Sequence, residues 1–231
     1  MRVIGVLGGM SWESTQGYYR ALNEGVKAAL GGFHSAKIVM VSVDFADIEA
    51  LQQQGDWHAA GELLASAAQS VERAGADCLV IATNTMHKVA PAIEQAIAIP
   101  LLHIADATAE KLTADGMTRV GLLGTRFTME QDFYIGRLEK QFGIEVVVPD
   151  QPERDTIHRV IFDELCQGHI EDASRQRFLA IIDSLHAQGA QAIILGCTEI
   201  AMLISQSDTT VPLYDTTALH AQQAVAWALN D

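Results

Sequence analysis

The chain contains one segment twice, and the two copies differ at a position that could do acid–base chemistry. The run from Gly75 to Asn84 recurs from Gly189 to Thr198, at an offset of 114 residues (189 minus 75). In this alignment Thr83 is the counterpart of Cys197. A thiol with a reference pKa of about 8.5 can act as acid or base near neutrality, whereas a threonine hydroxyl is a poor base there. The halves of a duplicated fold tend to face each other across a shared cleft. We therefore expect Thr83 and Cys197 to form an unequal pair that faces one ligand from opposite sides.

Two further matches indicate that the whole fold is duplicated. Gly5–Gly8 recurs as Gly121–Gly124, and Ile99–Leu101 recurs as Val211–Leu213, in the same order and at nearly the same spacing. The duplication predicts two lobes of about 110 residues, a usual domain size. Because the segment 104–115 matches the terminal helix 216–229, the C-terminal helix is expected to return to the first lobe. The predicted lobes are 1–103 plus 216–231, and 104–215.

Short apolar runs alternate with longer segments of helical character, which is typical of an α/β fold with parallel sheets covered by helices. The predicted strands lie at 2–7, 37–43, 78–82, 101–103, 119–123, 145–148, 192–195 and 213–214. The predicted helices include 13–30, 58–74, 91–97, 129–142, 156–167 and 174–188. Gly75 and Gly189 each stand where a glycine cap ends a helix. The pattern predicts two similar Rossmann-like lobes with the active site in the cleft between them.

The expected site lies beyond the carboxyl ends of the strands, where open α/β sheets bind ligands. Thr83 and Cys197 both occupy that place, and each is followed by residues suited to start a helix, Asn84-Thr85 and Thr198-Glu199. A helix N-terminus would lower the pKa of the Cys197 thiol. The alternative interpretation is a buried apolar cysteine, and the repeat favours the functional one.

Two glycine-containing loops form the other pair of strand ends. Ser11 follows Gly8-Gly9-Met10, and Thr125 follows Gly124, so both hydroxyls could donate hydrogen bonds to a ligand. Tight strand-to-helix turns would explain these loops equally well. A dinucleotide site is weakly indicated, because G-x-G-x-x-G is absent and Asp44 lies well beyond the usual spacing of about 20 residues.

Composition narrows the function classes. The net charge of −14, with no basic stripe, argues against nucleic acid as a partner. The first apolar run is too short to span a membrane, and three cysteines without a disulfide spacing pattern indicate reduced thiols in the cytoplasm.

Cys78 is expected in the core, Cys166 on the packed side of a helix and His87 on a helix surface. The eight histidines include no H-x-x-x-H pair, so no metal site is predicted.

Four motifs together resemble the cofactor-independent aspartate/glutamate racemase family, and the resemblance runs nearly end to end. They are Gly5–Thr15, Ala82–His87, Gly121–Thr125 and Leu195–Ile200. The chain is most similar to the members specific for L-aspartate and L-glutamate. The resemblance implies two α/β lobes, an interlobe site, frequent homodimers, and 1,1-proton transfer between two facing cysteines without pyridoxal phosphate or another cofactor.

By the same resemblance, Thr83 and Cys197 are the catalytic residues and the substrate is a small acidic amino acid. Thr83 departs from the cysteine of most members, and the L-specific members share the threonine. Some aspartate racemases have basic residues near the positions of Gln52 and Cys166, which are absent here. The expected substrate-binding residues are Met10, Ser11, Gln52, Asn84, Thr85, Thr125, Thr198 and Glu199.

Three other functions stay open at this point. A single-cysteine decarboxylase or cis–trans isomerase of small diacids would use Cys197 as proton donor or nucleophile. A non-catalytic protein that binds acidic amino acids could keep both lobes without acid–base function at Thr83. A nucleotide-linked enzyme is the most distant alternative.

Overall fold

A computed structural model of the protein describes residues 1–230. The chain divides into two compact units. The first comprises Met1–Ile104 and the C-terminal segment from His220, and the second comprises Ala105–Leu219. The chain therefore passes from the first unit to the second after Ile104 and returns after Leu219.

The first unit is built on a four-stranded parallel sheet with the strand order β2-β1-β3-β4. Its strands are β1 (Ile4–Gly8), β2 (Ile38–Ser42), β3 (Cys78–Ile81) and β4 (Leu101–Leu102). Its helices are α1 (Trp12–Leu30), α2 (Phe45–Gln54), α3 (Trp57–Arg73), a 3-10 helix at Thr85–Val89 and α4 (Ala90–Ala96).

The second unit has a four-stranded parallel sheet of the same order, β6-β5-β7-β8. Its strands are β5 (Arg119–Gly124), β6 (Glu145–Val147), β7 (Ala192–Gly196) and β8 (Leu213–Asp215). Helix α5 (Ile104–Ala114) leads into it, and α11 (Thr216–Leu229) leads back to the first unit. Between them lie α6 (Arg126–Glu130), α7 (Asp132–Phe142), α8 (Gln151–Asp163), α9 (Asp172–Ala187), α10 (Ile200–Leu203), and 3-10 helices at Leu165–Gln167 and Gln206–Asp208.

The strand register repeats along with the strand order. Ile4 pairs with Cys78 in the first sheet, and Val120 pairs with Ala192 in the second. These pairs correspond under the offsets of 116 and 114 that the sequence repeats show (120 minus 4 and 192 minus 78). The predicted α/β architecture with two similar parallel sheets is confirmed, since each sheet is one copy of the same pairing scheme.

The central strands β1 and β3 of the first unit are buried on both faces, as their apolar sequences predict. One face carries Leu7, Leu79 and Ile81 against α3 residues such as Leu64. The opposite face packs Ile4, Val6 and Val80 against α1, and the C-terminal helix α11 contributes Ala221, Ala224 and Val225 to the same cluster. The alternation of strand residues between two covered faces fixes the register, because a slip of one residue would exchange the faces.

Several element boundaries differ from prediction for local reasons. The predicted helix 156–167 begins earlier, at Gln151, because Asp150 and Glu153 form a capping box. It ends at Asp163, so Cys166 lies in a 3-10 helix rather than on the predicted α-helix. The predicted helix 129–142 is interrupted at Gln131, and α2 was not predicted. Gly75 and Gly189 do end their helices, with φ of 95° and 97°, where a side chain would be strained.

Candidate functional site

The loops after β1 and β3 lie side by side in the first unit, because these parallel strands are neighbours. The Ser11 hydroxyl caps α1 by accepting a hydrogen bond from the Ser14 backbone N–H at 3.3 Å. The Ser14 hydroxyl contacts the carbonyl oxygens of Ser11 and Ala82, each at 3.1 Å. One serine therefore joins the loop that carries Met10 and Ser11 to the strand end that carries Thr83.

The remaining predicted residues of the first unit lie beside this pair of loops and are buried. The Gln52 side chain of α2 donates to the Met86 sulfur at 2.9 Å. Asn84 and Thr85 form the start of the 3-10 helix, and Asn84 makes no side-chain cap there. The structure thus connects Gln52 to the segment after β3 through Met86.

In the second unit, Thr125 and Cys197 are the residues directly after two paired strand ends, Gly124 and Gly196. The Thr125 hydroxyl caps α6 by accepting from the Thr128 N–H at 3.4 Å, just as Ser11 caps α1. Thr198 and Glu199 continue from Cys197 and are equally buried. The predicted residues of this unit therefore converge at one edge of the sheet.

A carboxylate holds the Cys197 thiol. The Cys197 Sγ donates to Glu199 Oε2 at 3.0 Å, and the Thr198 hydroxyl donates to the same oxygen at 2.5 Å. Cys197 is 7% exposed and Glu199 is 3% exposed. Both donors share one carboxylate oxygen, and the Glu199 carboxylate favours a thiol that keeps its proton.

The pKa prediction for Cys197 was wrong. Burial raises the pKa of the Cys197 thiol well above its ordinary value, and the nearby Glu199 carboxylate raises it further. The helix that follows has only four residues, Ile200–Leu203, and Glu199 gives it no side-chain cap. A helix this short offers little dipole to offset desolvation. The raised pKa therefore favours the protonated thiol, which contacts the Glu199 carboxylate.

His87 also differs from prediction, because it is buried rather than on a helix surface. It is 2% exposed, and its Nδ1 lies 2.8 Å from the carbonyl oxygen of Thr83. Cys78 lies in the core as predicted, and burial raises its pKa to about 12. Such a thiol is inert.

The sequence offers no reason to assign a part to Ser14. His87 lies one helical turn beyond Thr83, a spacing that allows it to approach the cleft, but a helix surface was the favoured prediction. Glu199 is predicted to bind substrate, and in the structure its carboxylate accepts hydrogen bonds from the Cys197 thiol and the Thr198 hydroxyl.

Within residues 1–230, no three His, Cys, Asp or Glu side chains form a group that could hold a metal ion. Over the same residues, no helix combines the length and apolar character needed to cross a membrane.

The chain matches a protein-family model and resembles solved structures. Residues 7–224 match the family model described as Asp/Glu/hydantoin racemase. A Yersinia pestis crystal structure, whose assignment as an Asp/Glu racemase is provisional, is 54% identical, covers 100% of both chains and has a TM-score of 0.93. An aspartate racemase homologue from Pyrococcus horikoshii is 33% identical over 100% of both chains, with a TM-score of 0.87.

A curated relative agrees with these structures. The broad-specificity amino-acid racemase RacX of Bacillus subtilis is 25% identical over 162 residues, which cover 69% of this chain and 68% of that protein. The family match extends over nearly the whole chain and includes both strand ends that carry Thr83 and Cys197. The chain therefore belongs to the Asp/Glu/hydantoin racemase family, and it is an isomerase of that family.

Proposed function

We propose that the protein racemises acidic amino acids, L-glutamate or L-aspartate, by 1,1-proton transfer without pyridoxal phosphate, using Cys197 and the Thr83 face. The observation that carries the proposal is the buried Cys197–Glu199 pair at the end of β7, at the position that the internal repeat matches with Thr83. A structure named as an aspartate racemase homologue and a relative named as a broad-specificity amino-acid racemase support amino acids as the substrate class.

The proposed reaction starts at the thiol. Glu199 Oε2 accepts the Cys197 proton along the existing 3.0 Å contact, which gives a thiolate and a neutral carboxyl group. The thiolate removes the α-proton of the L-enantiomer and becomes a thiol again, while the substrate becomes a carbanion. Because the α-hydrogen of an amino acid is very weakly acidic, this step needs an aligned base and stabilisation of the developing charge.

The second proton arrives from the opposite side in this scheme. The Thr83 hydroxyl gives its proton to the carbanion, which completes the inversion, and a water molecule reprotonates the resulting alkoxide. The neutral Glu199 carboxyl group releases its proton to the hydroxide so formed, through solvent, and the resting carboxylate is restored. A hydroxyl is a weaker acid than a thiol, so we expect delivery from this face to be the slower step. The same two groups act in reverse order on the D-enantiomer.

The polar groups around the two strand ends are proposed to hold the substrate. Asn84, Thr85, Thr125 and Thr198 are polar and buried, and they line the same strand ends as the catalytic pair. One preorganised donor to the developing carboxylate charge typically contributes about 3–4 kcal/mol. Met10, Ser11 and Gln52 would complete the substrate contacts in the first unit.

The test is chirally resolved product analysis of L-glutamate and L-aspartate with purified protein, after treatment with chelator and removal of pyridoxal phosphate. We expect both enantiomers to appear from either one. Cys197→Ser should fold and lose turnover by roughly 100- to 10,000-fold, which is the usual contribution of a positioned acid or base. Cys78→Ala removes the inert thiol in the core of the first unit and is the matched control, with activity expected near wild type.

Other outcomes would favour the rival functions. Loss of carbon dioxide or isomerisation of a diacid, with no change in amino-acid configuration, would indicate a decarboxylase or cis–trans isomerase. Binding without turnover would indicate a binding protein. Near-normal racemisation by pure Cys197→Ser would remove the basis of the mechanism, and activity restored only by an added cofactor would overturn the cofactor-independent chemistry.

A further inference from the structure

His87 is held by two backbone groups at the end of β3. Its Nδ1 lies 2.8 Å from the Thr83 carbonyl oxygen, and its Nε2 lies 3.3 Å from the Ile104 backbone N–H, which can only donate. Nε2 must therefore be the acceptor, and the ring proton must be on Nδ1, where it is donated to Thr83. The ring is a neutral bridge with one defined tautomer.

Two further histidines keep His87 in this form. The His103 ring centroid lies 4.5 Å from that of His87, and the His220 ring centroid lies 5.8 Å away. Burial lowers the pKa of His87 well below its ordinary value, and the two neighbouring histidines lower it further. His220 is itself fixed, with its Nε2 2.7 Å from the Leu102 carbonyl oxygen and its Nδ1 2.8 Å from the Tyr18 hydroxyl.

The second unit supports its strand end in a different way. The offset of 114 places Ala201 at the position of His87 (87 plus 114), so no imidazole can bridge the backbone there. Instead, Glu199 contacts the Cys197 side chain directly. The two strand ends are therefore held differently. In the second unit the Glu199 carboxylate contacts the Cys197 thiol, and in the first unit the His87 imidazole contacts the backbone carbonyl of Thr83.

We propose that His87 is a positioning residue for Thr83, which holds the threonine backbone so that its hydroxyl can deliver a proton to the substrate. This inference rests on the proposed racemase function. Thr83 lies outside β3, so the ladder hydrogen bonds of the sheet do not fix its carbonyl. The ring ties that carbonyl to the Ile104 backbone instead. Displacement of a reacting group by about 1 Å can cost on the order of 100-fold in rate.

Two substitutions separate the two hydrogen bonds of the ring. His87→Asn places an amide at the position of Nδ1 and keeps a donor for the Thr83 carbonyl. His87→Gln places an amide near the position of Nε2, where its oxygen can accept from Ile104, and loses the donor to Thr83. His186→Asn is the matched control, because His186 Nδ1 makes a similar 2.8 Å bond to a carbonyl, that of Ala190, away from either strand end.

The readout is the ratio of α-deuterium exchange to inversion, measured in heavy water with L-glutamate and with L-aspartate. Exchange without inversion reports the Cys197 face, and inversion also needs the Thr83 face. We expect His87→Gln to raise this ratio about tenfold or more, while His87→Asn and His186→Asn stay within about twofold of wild type. A structural role alone would lower exchange and inversion together and leave the ratio unchanged.

Each outcome decides the matter. An unchanged ratio in folded His87→Gln, or an equal rise in His87→Asn, overturns the positioning role. If His87→Gln does not fold, nitrogen-15 NMR of the wild-type histidines replaces it, and an Nε2–H tautomer at His87 overturns the proposal. If the wild-type protein neither exchanges nor inverts either amino acid, the proposed function fails instead, and the two failures are thus distinct.

Discussion

Thr83 and Cys197 lie at equivalent places in two sheets that share one strand order. Thr83 is two residues beyond Ile81, which pairs with Leu7, and Cys197 is two residues beyond Leu195, which pairs with Leu123. The repeat therefore holds at the level of individual strand pairs. The chemical groups at the two positions differ. Cys197 has a thiol in contact with the Glu199 carboxylate, whereas Thr83 has a hydroxyl and a backbone carbonyl that contacts His87.

Glu199→Gln separates the electrostatic effect of the carboxylate from its proposed action as a proton acceptor. Removing the negative charge should lower the pKa of Cys197, since that charge helps to raise it. Racemisation should nevertheless fall by about 100-fold, the lower end of the contribution of a positioned acid or base. Iodoacetamide labelling of Cys197 across pH, followed by mass spectrometry, gives the thiol midpoint, and chiral chromatography gives the rate. An unshifted midpoint with undiminished turnover would contradict this role.

Thr83→Cys should restore a pair of thiols and raise turnover, most visibly in kcat for the disfavoured enantiomer. The reason is that a thiol is a stronger acid than a hydroxyl and exchanges its proton readily near neutrality. The measurement is the initial rate from each pure enantiomer. A well-folded variant that is no faster with either enantiomer would mean that position 83 does not face the α-carbon.

The buried histidine predicts a loss of stability in acid. The pKa of His87 is lowered in the folded state, so the unfolded chain binds more protons as the pH falls below about 6.5. The contribution of His87 to the free energy of unfolding is complete above that pH and is lost as the pH falls toward the folded-state pKa. Melting temperatures of wild type and His87→Asn should therefore converge between about pH 8 and pH 5. Parallel curves would show that His87 is not buried in its neutral form.

The sequence predicted the fold well because the signals for it are local or repeated. Apolar runs mark the eight strands, and the two offsets near 115 residues anticipate the matching registers of β1 with β3 and of β5 with β7. Helix ends were less predictable where capping decided them. Asp150 extends α8 toward its N-terminus by a capping box that the apolar pattern alone did not indicate.

The sequence predicted that Thr83 and Cys197 follow matching strand ends, but it did not predict the electrostatics around the thiol. The place of Cys197 follows from the repeat, whereas its raised pKa depends on how deeply the thiol is buried and on where the Glu199 carboxylate lies. The surroundings of His87 depend on His103 and His220, which come from distant parts of the chain. Contacts of that kind arise from tertiary packing and have no local sequence signal.

In the proposed mechanism, two unequal groups transfer protons on opposite faces of the substrate. The two enantiomers have equal free energy in water, so kcat/KM must be equal in both directions. The difference between the two groups must therefore appear in another quantity, such as the ratio of α-deuterium exchange to inversion. A thiol that exchanges with solvent can return a deuteron to the same face and label the substrate without inverting it.

The most direct measurement follows wild-type protein acting on L-glutamate and L-aspartate in heavy water, with NMR for α-deuterium and chiral chromatography for configuration on the same samples. We expect α-exchange of the L-enantiomer to outpace its inversion from the earliest time points. If every deuterium incorporated accompanies one inversion, the two faces are equally competent and the proposed mechanism is wrong.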